Sequence, residues 1–296
     1  MPNSLQENIN QPLELNGQNR IRNYSAEVVH TINTDTKVQH SCVALLFSMQ
    51  YLGLNDQGNL SFNIIVNNRL FLDEKSRPVF KPSKAQQIAL TVAKINDDII
   101  FEVDKQYKIV GVLNSKEIQL RWQKIKTNLL QMYSDLNDLC ADFDWQLQTE
   151  NINQLFARDN FFNFFFANLF YQDFNKEQLP PISKTIANGF DTLDIPIIEE
   201  RSISKQDVLF QNITISTKAK LDIENKKFPL EKMNISLGNI VPNIGANHDL
   251  EFNYKGAYTL KPRIGLITSG TLNYTFTITD TYQKTTTINF NLEDDE

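Results

Sequence analysis

Residues 99–122 read IIFEVDKQYKIVGVLNSKEIQLRW and carry the signals of both strand and helix. Apolar and mostly polar residues alternate from Ile99 to Asp104, which predicts a strand with one buried face. The polar pair Lys105-Gln106 connects it to a second apolar run, as in a tight hairpin. Asn114 and Glu117 then have the spacing of a helix capping box. This stretch therefore predicts an antiparallel sheet followed by a helix.

The same strand signals recur on both sides of the chain's centre. Runs rich in apolar and β-branched residues are separated by Asn-, Asp- and Gly-containing turns. In the first half the predicted strands are Tyr24–Asn33, Val38–Leu54, Leu60–Leu72, Gln86–Ile95, Ile99–Asp104 and Tyr107–Leu113. In the second half they are Asp207–Ile223, Phe228–Leu237, Leu250–Leu260, Ile264–Thr279 and Thr285–Leu292. The predicted fold class is α+β, mainly β, with two curved antiparallel β-meanders separated by a central helical pair.

The two central helices differ in character. From Asn114 to Phe143, apolar residues recur every three or four positions, which is typical of an amphipathic helix. A second asparagine cap, Asn151, begins a helix that runs to about Tyr171. Eight of the chain's 20 phenylalanines lie between Phe156 and Phe174. A helix that is apolar nearly all round is either buried on several sides or used at an interface.

These patterns divide the chain into five segments. Pro180-Pro181 and Ile195-Pro196 favour irregular structure, because proline lacks an amide donor and restricts the residue before it. The predicted segments are a flexible arm 1–20, a sheet with an amphipathic helix 21–148, a Phe-rich helix 149–178, a linker 179–206 and a second sheet 207–296.

Composition excludes several kinds of partner. The net charge is −6 and no cluster of Lys and Arg occurs, so a nucleic-acid partner is not expected. No uninterrupted run of about 18 apolar residues is present, so no membrane span is predicted. The first ten residues, MPNSLQENIN, lack the basic and apolar regions of a signal peptide. We therefore expect a cytoplasmic protein, or one exported without a cleaved signal peptide.

The sequence carries no recognisable catalytic or metal-binding motif. Its three histidines, His30, His40 and His248, lack metal-ligand spacing. Phosphate-binding glycine loops and Gly-x-Ser-x-Gly are absent. Cys42 and Cys140 favour buried free thiols, although a single disulfide stays open. No cofactor or metal is predicted, and a non-enzymatic role is favoured over an enzyme.

Two hairpins carry a resemblance to a known group of proteins. FEVDKQYKIVGV at 101–112 and YTLKPRIGLITSG at 258–270 each read as strand, polar connection and strand. Both resemble hairpins in the half-barrels of bacterial lipoprotein-carrier-like proteins. The pattern Asn-x-x-Glu-Ile-x-x-x-Trp at 114–122 also resembles uncharacterised β-rich bacterial proteins. The resemblance implies a sheet that curves around something apolar, either the chain's own helix or a ligand.

The leading hypothesis is a non-enzymatic binding or structural module that buries a protein partner or an apolar ligand. The candidate binding residues are Phe161, Phe162, Phe165, Phe166, Phe170 and Trp122. The competing structural interpretation is that the Phe-rich helix supplies core to both sheets. A bacterial secretion-associated chaperone, cargo or adaptor fits the leading hypothesis, and a homo-oligomer is left open.

Two alternative functions stay open. The acidic residues of the linker, Asp191, Asp194, Glu199 and Glu200, allow a hydrolase whose carboxylate site is assembled from distant residues. An immunity-type inhibitor that neutralises a toxin by surface complementarity is the other alternative.

Overall fold

A computed structural model describes residues 21–34, 37–207, 211–240, 250–278 and 282–293. The predicted flexible arm 1–20 lies outside the described residues. The described residues divide into two compact units. The N-terminal unit comprises residues 21–26, Val43–Phe170 and residues 292–293, and the C-terminal unit comprises Glu27–Cys42 and Tyr171–Asn291.

The predicted fold class, α+β and mainly β, is confirmed by the strands. The strands are β1 Ile21–Thr34, β2 Lys37–Leu54, β3 Leu60–Leu72, β4 Asp98–Val103, β5 Ile109–Val112, β6 Gln178–Phe190, β7 Leu193–Asp207, β8 Asn212–Leu221, β9 Leu250–Lys261, β10 Leu266–Ile278 and β11 Tyr282–Leu292. Their order by hydrogen bonding is β5-β4-β3-β2-β1-β11-β10-β9-β8-β7-β6, so the strands of both predicted meanders belong to one sheet. Pairing is antiparallel from β3 to β5 and from β6 to β11.

The helices are short and most lie between β3 and β6. They are α1 Lys84–Ala93, α2 Ser115–Met132, α3 Asn137–Gln146, α4 Ile152–Ala157, α5 Asn160–Phe165 and α6 Leu230–Ile240. Single 3₁₀ turns occur at Lys94–Asn96 and Pro262–Ile264. Among the described helices, none combines the length and the apolar character that crossing a bilayer requires.

Two predicted strands are helices, and each begins at a recognisable start signal. Most of the predicted strand Gln86–Ile95 lies in α1, which begins after a capping box in which the Ser83 hydroxyl and the Gln86 side chain bond each other's backbone amides. Most of the predicted strand Phe228–Leu237 lies in α6, which directly follows Pro229. Short apolar runs fit the two-residue period of a strand and the 3.6-residue period of a helix equally well. The helix start signals therefore predicted these two segments better than the apolar pattern did.

Each predicted long helix is broken by a turn. The first ends at Met132, because Tyr133 is extended, and resumes at Asn137. Its apolar stripe survives the break, since Leu129 and Cys140 are both buried. The second is interrupted before α5, where the Asp159 carboxylate accepts a hydrogen bond from the Phe162 amide at 2.9 Å. Its predicted end near Tyr171 is wrong, because α5 ends at Phe165.

The predicted linker 179–206 is wrong, because strands β6 and β7 occupy it. Strand β6 is the last strand of the sheet, and Pro180-Pro181 lie where its register with β7 shifts between Leu179 and Ile182. Proline is tolerated at edge strands and bulges, because the missing amide donor is not needed there. The proline signal was therefore real, but it marked an irregular strand.

The two predicted asparagine caps are wrong, whereas the predicted free thiols are confirmed. Neither Asn114 nor Asn151 caps its helix with its side chain. The Asn114 side chain instead bonds the backbone of β4, accepting from the Ile100 amide at 2.8 Å and donating to the Asp98 carbonyl at 3.1 Å. Cys42 and Cys140 are both free and buried.

Candidate functional site

The phenylalanines between α4 and β6 form the aromatic core of the N-terminal unit. Phe162, Phe165, Phe166 and Phe170 are each at most 5% exposed, and Phe161 is partly buried. Their rings contact rings of strands β1 to β4 and of Tyr107, in the pairs Tyr24–Phe165, Phe47–Phe161, Phe47–Phe165, Phe62–Phe166, Phe101–Phe162 and Tyr107–Phe170. These edge-on and tilted contacts are typical of packed aromatic interiors.

Trp122, the sixth predicted binding residue, is also buried, at 1% exposure. Its indole nitrogen donates to Asp144 Oδ1 at 2.7 Å, and the Lys126 ammonium lies 2.5 Å from Asp144 Oδ2. This arrangement ties helix α2 to helix α3. In the conformation described, five of the six predicted binding residues are thus interior, and their use in binding stays a prediction.

One group of exposed apolar side chains lies on strands β2 and β3, away from these aromatic rings. Leu46, Leu52 and Leu54 of β2 are 48%, 48% and 64% exposed, and Ile65 of β3 is 39% exposed. The strand period explains the placement, because Phe47 and Met49 between them point into the core. We call Leu46, Leu52, Leu54 and Ile65 the aliphatic face.

A row of polar side chains crosses this outward surface. Ser48 Oγ donates to Asn23 Oδ1 at 2.8 Å, and Asn67 Nδ2 donates to Ser48 Oγ at 2.6 Å. The three residues belong to the neighbouring strands β1, β2 and β3. This amide ladder, Asn23–Ser48–Asn67, fixes hydrogen-bonding groups beside the apolar side chains.

The C-terminal unit contains a buried polar cluster formed by Lys184, Glu199, Arg201, Tyr254 and Tyr258. Glu199 is 0% exposed and Arg201 is 2% exposed. Glu199 Oε2 accepts from Lys184 Nζ at 2.9 Å and from the Tyr254 hydroxyl at 2.6 Å. Alternation along β7 places Glu199 and Arg201 on the same face of the sheet.

The electrostatics of the polar cluster keep its phenols protonated. Burial, followed by the negative charge of Glu199, raises the pKa of Tyr254 well above 10.0. The pKa of Tyr258 is raised in the same way. Both phenols therefore stay protonated at neutral pH, where the Tyr254 hydroxyl donates to Glu199, and neither is suited to serve as a base.

The linker carboxylates do not converge on one site. Glu199 belongs to the polar cluster, and Glu200 lies 3.8 Å from Lys220 on the exposed face. Asp191 accepts from the Ser236 hydroxyl at 2.5 Å, and Asp194 accepts from the Asn188 backbone amide at 3.2 Å. Within the described part of the chain, no group of three or more His, Cys, Asp or Glu side chains could hold a metal ion.

Sequence reasoning missed the aliphatic face and the polar cluster. Apolar residues stand at both odd and even positions of β2, in LLFSMQYLGL at 45–54, so the period alone left its buried face undecided. One signal for the cluster was Gly256, which lies between two tyrosines of β9, because a glycine inside a strand indicates that another group approaches closely. A Cβ at that position would lie 2.5 Å from Thr217 Oγ1.

Comparisons with known proteins give weak structural neighbours only. No family model and no curated protein matches the chain. A LolA superfamily protein from Nitrosomonas europaea is 9% identical, with a TM-score of 0.17 over 98% of this chain and 93% of that one. An outer membrane lipoprotein-sorting protein domain from Vibrio parahaemolyticus is 8% identical, with a TM-score of 0.18 over 99% and 92%.

A DUF1329 family protein from Desulfovibrio piger is 10% identical, with a TM-score of 0.18 over 98% of this chain and 90% of that one. The first two neighbours are of the lipoprotein-carrier-like kind that the two hairpins resemble. TM-scores of this size do not establish a shared fold, and they assign no ligand to this chain. The class that the structure itself defines is a mainly β, α+β chain with one eleven-stranded sheet.

Proposed function

We propose that this chain is a non-enzymatic binding module that docks onto a protein surface through the aliphatic face. The observation that carries the proposal is the exposure of Leu46, Leu52, Leu54 and Ile65, between 39% and 64%, on two neighbouring strands. Exposed aliphatic side chains grouped on neighbouring strands beside a polar row combine the apolar and polar groups that interaction sites use. Burying their exposed parts contributes about 4 kcal/mol, at about 2 kcal/mol for each fully buried aliphatic side chain.

The amide ladder favours a protein partner over an acyl chain. A hydrocarbon chain would take this polar row out of water and offer it no further hydrogen bond. A protein surface matches a mixture of polar and apolar groups, because protein interfaces combine an apolar centre with about one hydrogen bond per 100–200 Å². The net charge of −6 also opposes attraction to an anionic membrane.

The polar cluster supports an enzymatic alternative less well. Glycoside hydrolysis requires two carboxyl groups at a defined separation. Glu199 is the one carboxylate of the cluster, and it accepts from an ammonium and a phenol. A secretion-associated chaperone or adaptor and an immunity-type inhibitor are both protein-docking roles, so the proposal includes them.

The test compares charge substitutions on the aliphatic face with a matched substitution elsewhere. Leu52→Lys/Leu54→Lys changes the face, and Leu120→Lys changes an equally exposed leucine, at 65%, on α2. Light scattering at micromolar concentration reports self-association. Proteins recovered from a source lysate are purified and titrated individually by calorimetry.

We expect a stoichiometric complex, either with a second copy or with a purified partner, that the double variant loses and Leu120→Lys keeps. A complex that survives the double substitution contradicts the proposal. Uptake of a fluorescent fatty acid that only the double variant loses would assign the face to an apolar ligand and contradict it as well.

A further inference from the structure

The connection between β3 and α1 holds one phenylalanine almost entirely in water. Phe80 is 92% exposed, whereas the next most exposed large apolar side chain among those described, Ile223, is 69% exposed. We call residues 73–83 the Phe80 loop. An isolated exposed apolar residue on a mobile loop needs no explanation, so the decisive question is how firmly this loop is held.

The first half of the loop is closed by Asp73. Its carboxylate accepts from the backbone amides of Lys75 and Arg77 at 2.9 and 3.0 Å, and from Arg77 Nε and Nη2 at 2.9 and 2.7 Å. The Asp73 amide donates to the Arg77 carbonyl at 2.8 Å. Side-chain and backbone bonds therefore define one turn immediately before Pro78.

The second half is anchored on both sides of Phe80. The Val79 amide donates to the Phe71 carbonyl at 2.9 Å. On the other side, Gln87 Nε2 donates to the Pro82 carbonyl at 2.8 Å. The capping box at Ser83 then begins α1 directly. Pro78 and Pro82 further restrict the backbone, so Phe80 is presented at a fixed place by a loop that loses little entropy on binding.

Rigid presentation favours a partner with a pocket of fixed shape. Preorganised aromatic side chains are typical anchors at the centre of protein interfaces, where they fill a pocket on the other surface. A fluid bilayer gains nothing from a fixed side-chain position. A single inserted phenylalanine contributes only about 2 kcal/mol there, which is too little for stable attachment.

The charge of the Phe80 loop indicates which charge to expect around such a pocket. Residues 73–83 contain two acidic and three basic side chains within a chain of net charge −6, and Lys84 follows as the first residue of α1. Arg77 is paired with Asp73, and Lys84 with Asp135. Lys75 and Lys81, both exposed, are therefore the positive charges near Phe80 that a partner would meet. Complementarity therefore predicts acidic groups around the partner's pocket.

We propose that Phe80 is an anchor that inserts into an apolar pocket with an acidic rim on the partner protein. The inference rests on the proposed docking function, and it adds a second contact with a stated chemistry. The Phe80 loop and the aliphatic face both belong to the N-terminal unit.

The test places the photo-crosslinking amino acid p-benzoylphenylalanine at position 80 in the full chain, and at Trp145 as the control position. Trp145 is an exposed aromatic residue, at 61%, on α3. Irradiation in cells is expected to join position 80, and not position 145, to one protein. That protein is then purified and titrated with the wild type, Phe80→Ala, Phe80→Trp, Lys81→Glu and Trp145→Ala.

We expect Phe80→Ala to weaken binding at least about 10-fold, which is typical of an interface anchor. Phe80→Trp should stay within about threefold, and Lys81→Glu should weaken binding most at low salt. Trp145→Ala should bind as the wild type does. Thermal unfolding checks that Phe80→Ala leaves the fold intact.

Three results overturn the anchor: unchanged affinity of Phe80→Ala, crosslinking of position 80 to lipid, or no protein crosslink at that position. The two proposals fail separately. If Leu52→Lys/Leu54→Lys loses the complex and Phe80→Ala keeps it, the docking face stands and the anchor is wrong. If Phe80→Ala loses the complex and Leu52→Lys/Leu54→Lys keeps it, the anchor stands and the docking role of the aliphatic face is wrong.

Discussion

Glu199 and Glu200 are neighbours in sequence with opposite surroundings. Strand β7 alternates, so Glu199 points into the polar cluster with 0% of its side chain exposed, while Glu200 keeps 60% of its side chain in water. A buried carboxylate that loses its charge leaves its partners desolvated without compensation, whereas an exposed pair contributes little.

We predict that Glu199→Gln lowers the free energy of unfolding by about 2–4 kcal/mol, because Lys184 and Tyr254 lose their charged acceptor. Glu200→Gln, the matched control one residue away, should change it by no more than about 0.5 kcal/mol. Urea unfolding followed by circular dichroism measures both. Equal effects of the two substitutions would show that the cluster contributes no specific stability.

His30 lies in an environment that opposes protonation. Its Nδ1 lies 2.9 Å from Thr286 Oγ1. Burial, and secondly the positive charge of Lys284, lowers the pKa of His30 below its ordinary value of 6.5. The unfolded chain therefore binds this proton more readily than the folded chain does, and stability falls as the pH drops below about 6.5.

We predict that His30→Gln flattens the decline in unfolding free energy below pH 6.5, down to the folded-state pKa of His30. The contribution of His30 is fully present above pH 6.5 and is lost towards lower pH. His40→Gln, at an exposed histidine, is the matched substitution for comparison. Urea titrations at a series of pH values give the slopes. A slope unchanged by His30→Gln would contradict the assignment.

At the scale of elements, Asn114 shows how one residue type serves two purposes. Its position before α2 matches a helix cap. However, the oxygen and the nitrogen of its side-chain amide both form hydrogen bonds with the backbone of β4. As a cap, asparagine and aspartate are equivalent. As a link to the strand, the residue needs both its acceptor and its donor, and only asparagine supplies both at neutral pH.

We predict that Asn114→Asp destabilises the protein by about 1–3 kcal/mol, because the donor to the Asp98 carbonyl is lost and a charge is buried. The matched substitution is Ser83→Asp, at the capping box of α1, where the change should be within about 0.5 kcal/mol. Chemical unfolding of both variants separates the roles. Retained stability of Asn114→Asp would mean that the residue acts as a cap.

At the scale of the whole molecule, the phenylalanines divide into buried and exposed classes that the sequence does not distinguish. Phe165 is 1% exposed and contacts the rings of Tyr24 and Phe47, whereas Phe80 is 92% exposed. We predict that Phe165→Ala lowers the unfolding free energy by about 3–5 kcal/mol, and that Phe80→Ala lowers it by less than about 0.5 kcal/mol. Denaturant midpoints measure the difference. Similar midpoints for the two variants would place Phe165 outside the core.

Local patterns in the sequence were enough to predict the class of the fold and several of its elements. Alternation along β4 and the three-to-four spacing along α2 are local, because each follows from the geometry of one element. Those signals correctly gave strand and helix at Ile99–Val103 and Ile118–Leu129. Where a short run fitted both periods, as at residues 86–95, the local pattern was insufficient, and the capping box at Ser83 was the better signal.

Which faces are buried and which strands pair follows from long-range packing, and local sequence patterns do not contain that information. Pairing joins residues far apart in the chain, and spacing carries no record of it. Tertiary structure thus placed Pro180-Pro181 in an edge strand, brought Lys184, Glu199 and Tyr254 together, and buried the phenylalanines expected at a binding surface. It also turned Leu52 and Leu54 outward, because a strand that is apolar on both sides buries whichever face the neighbouring elements cover.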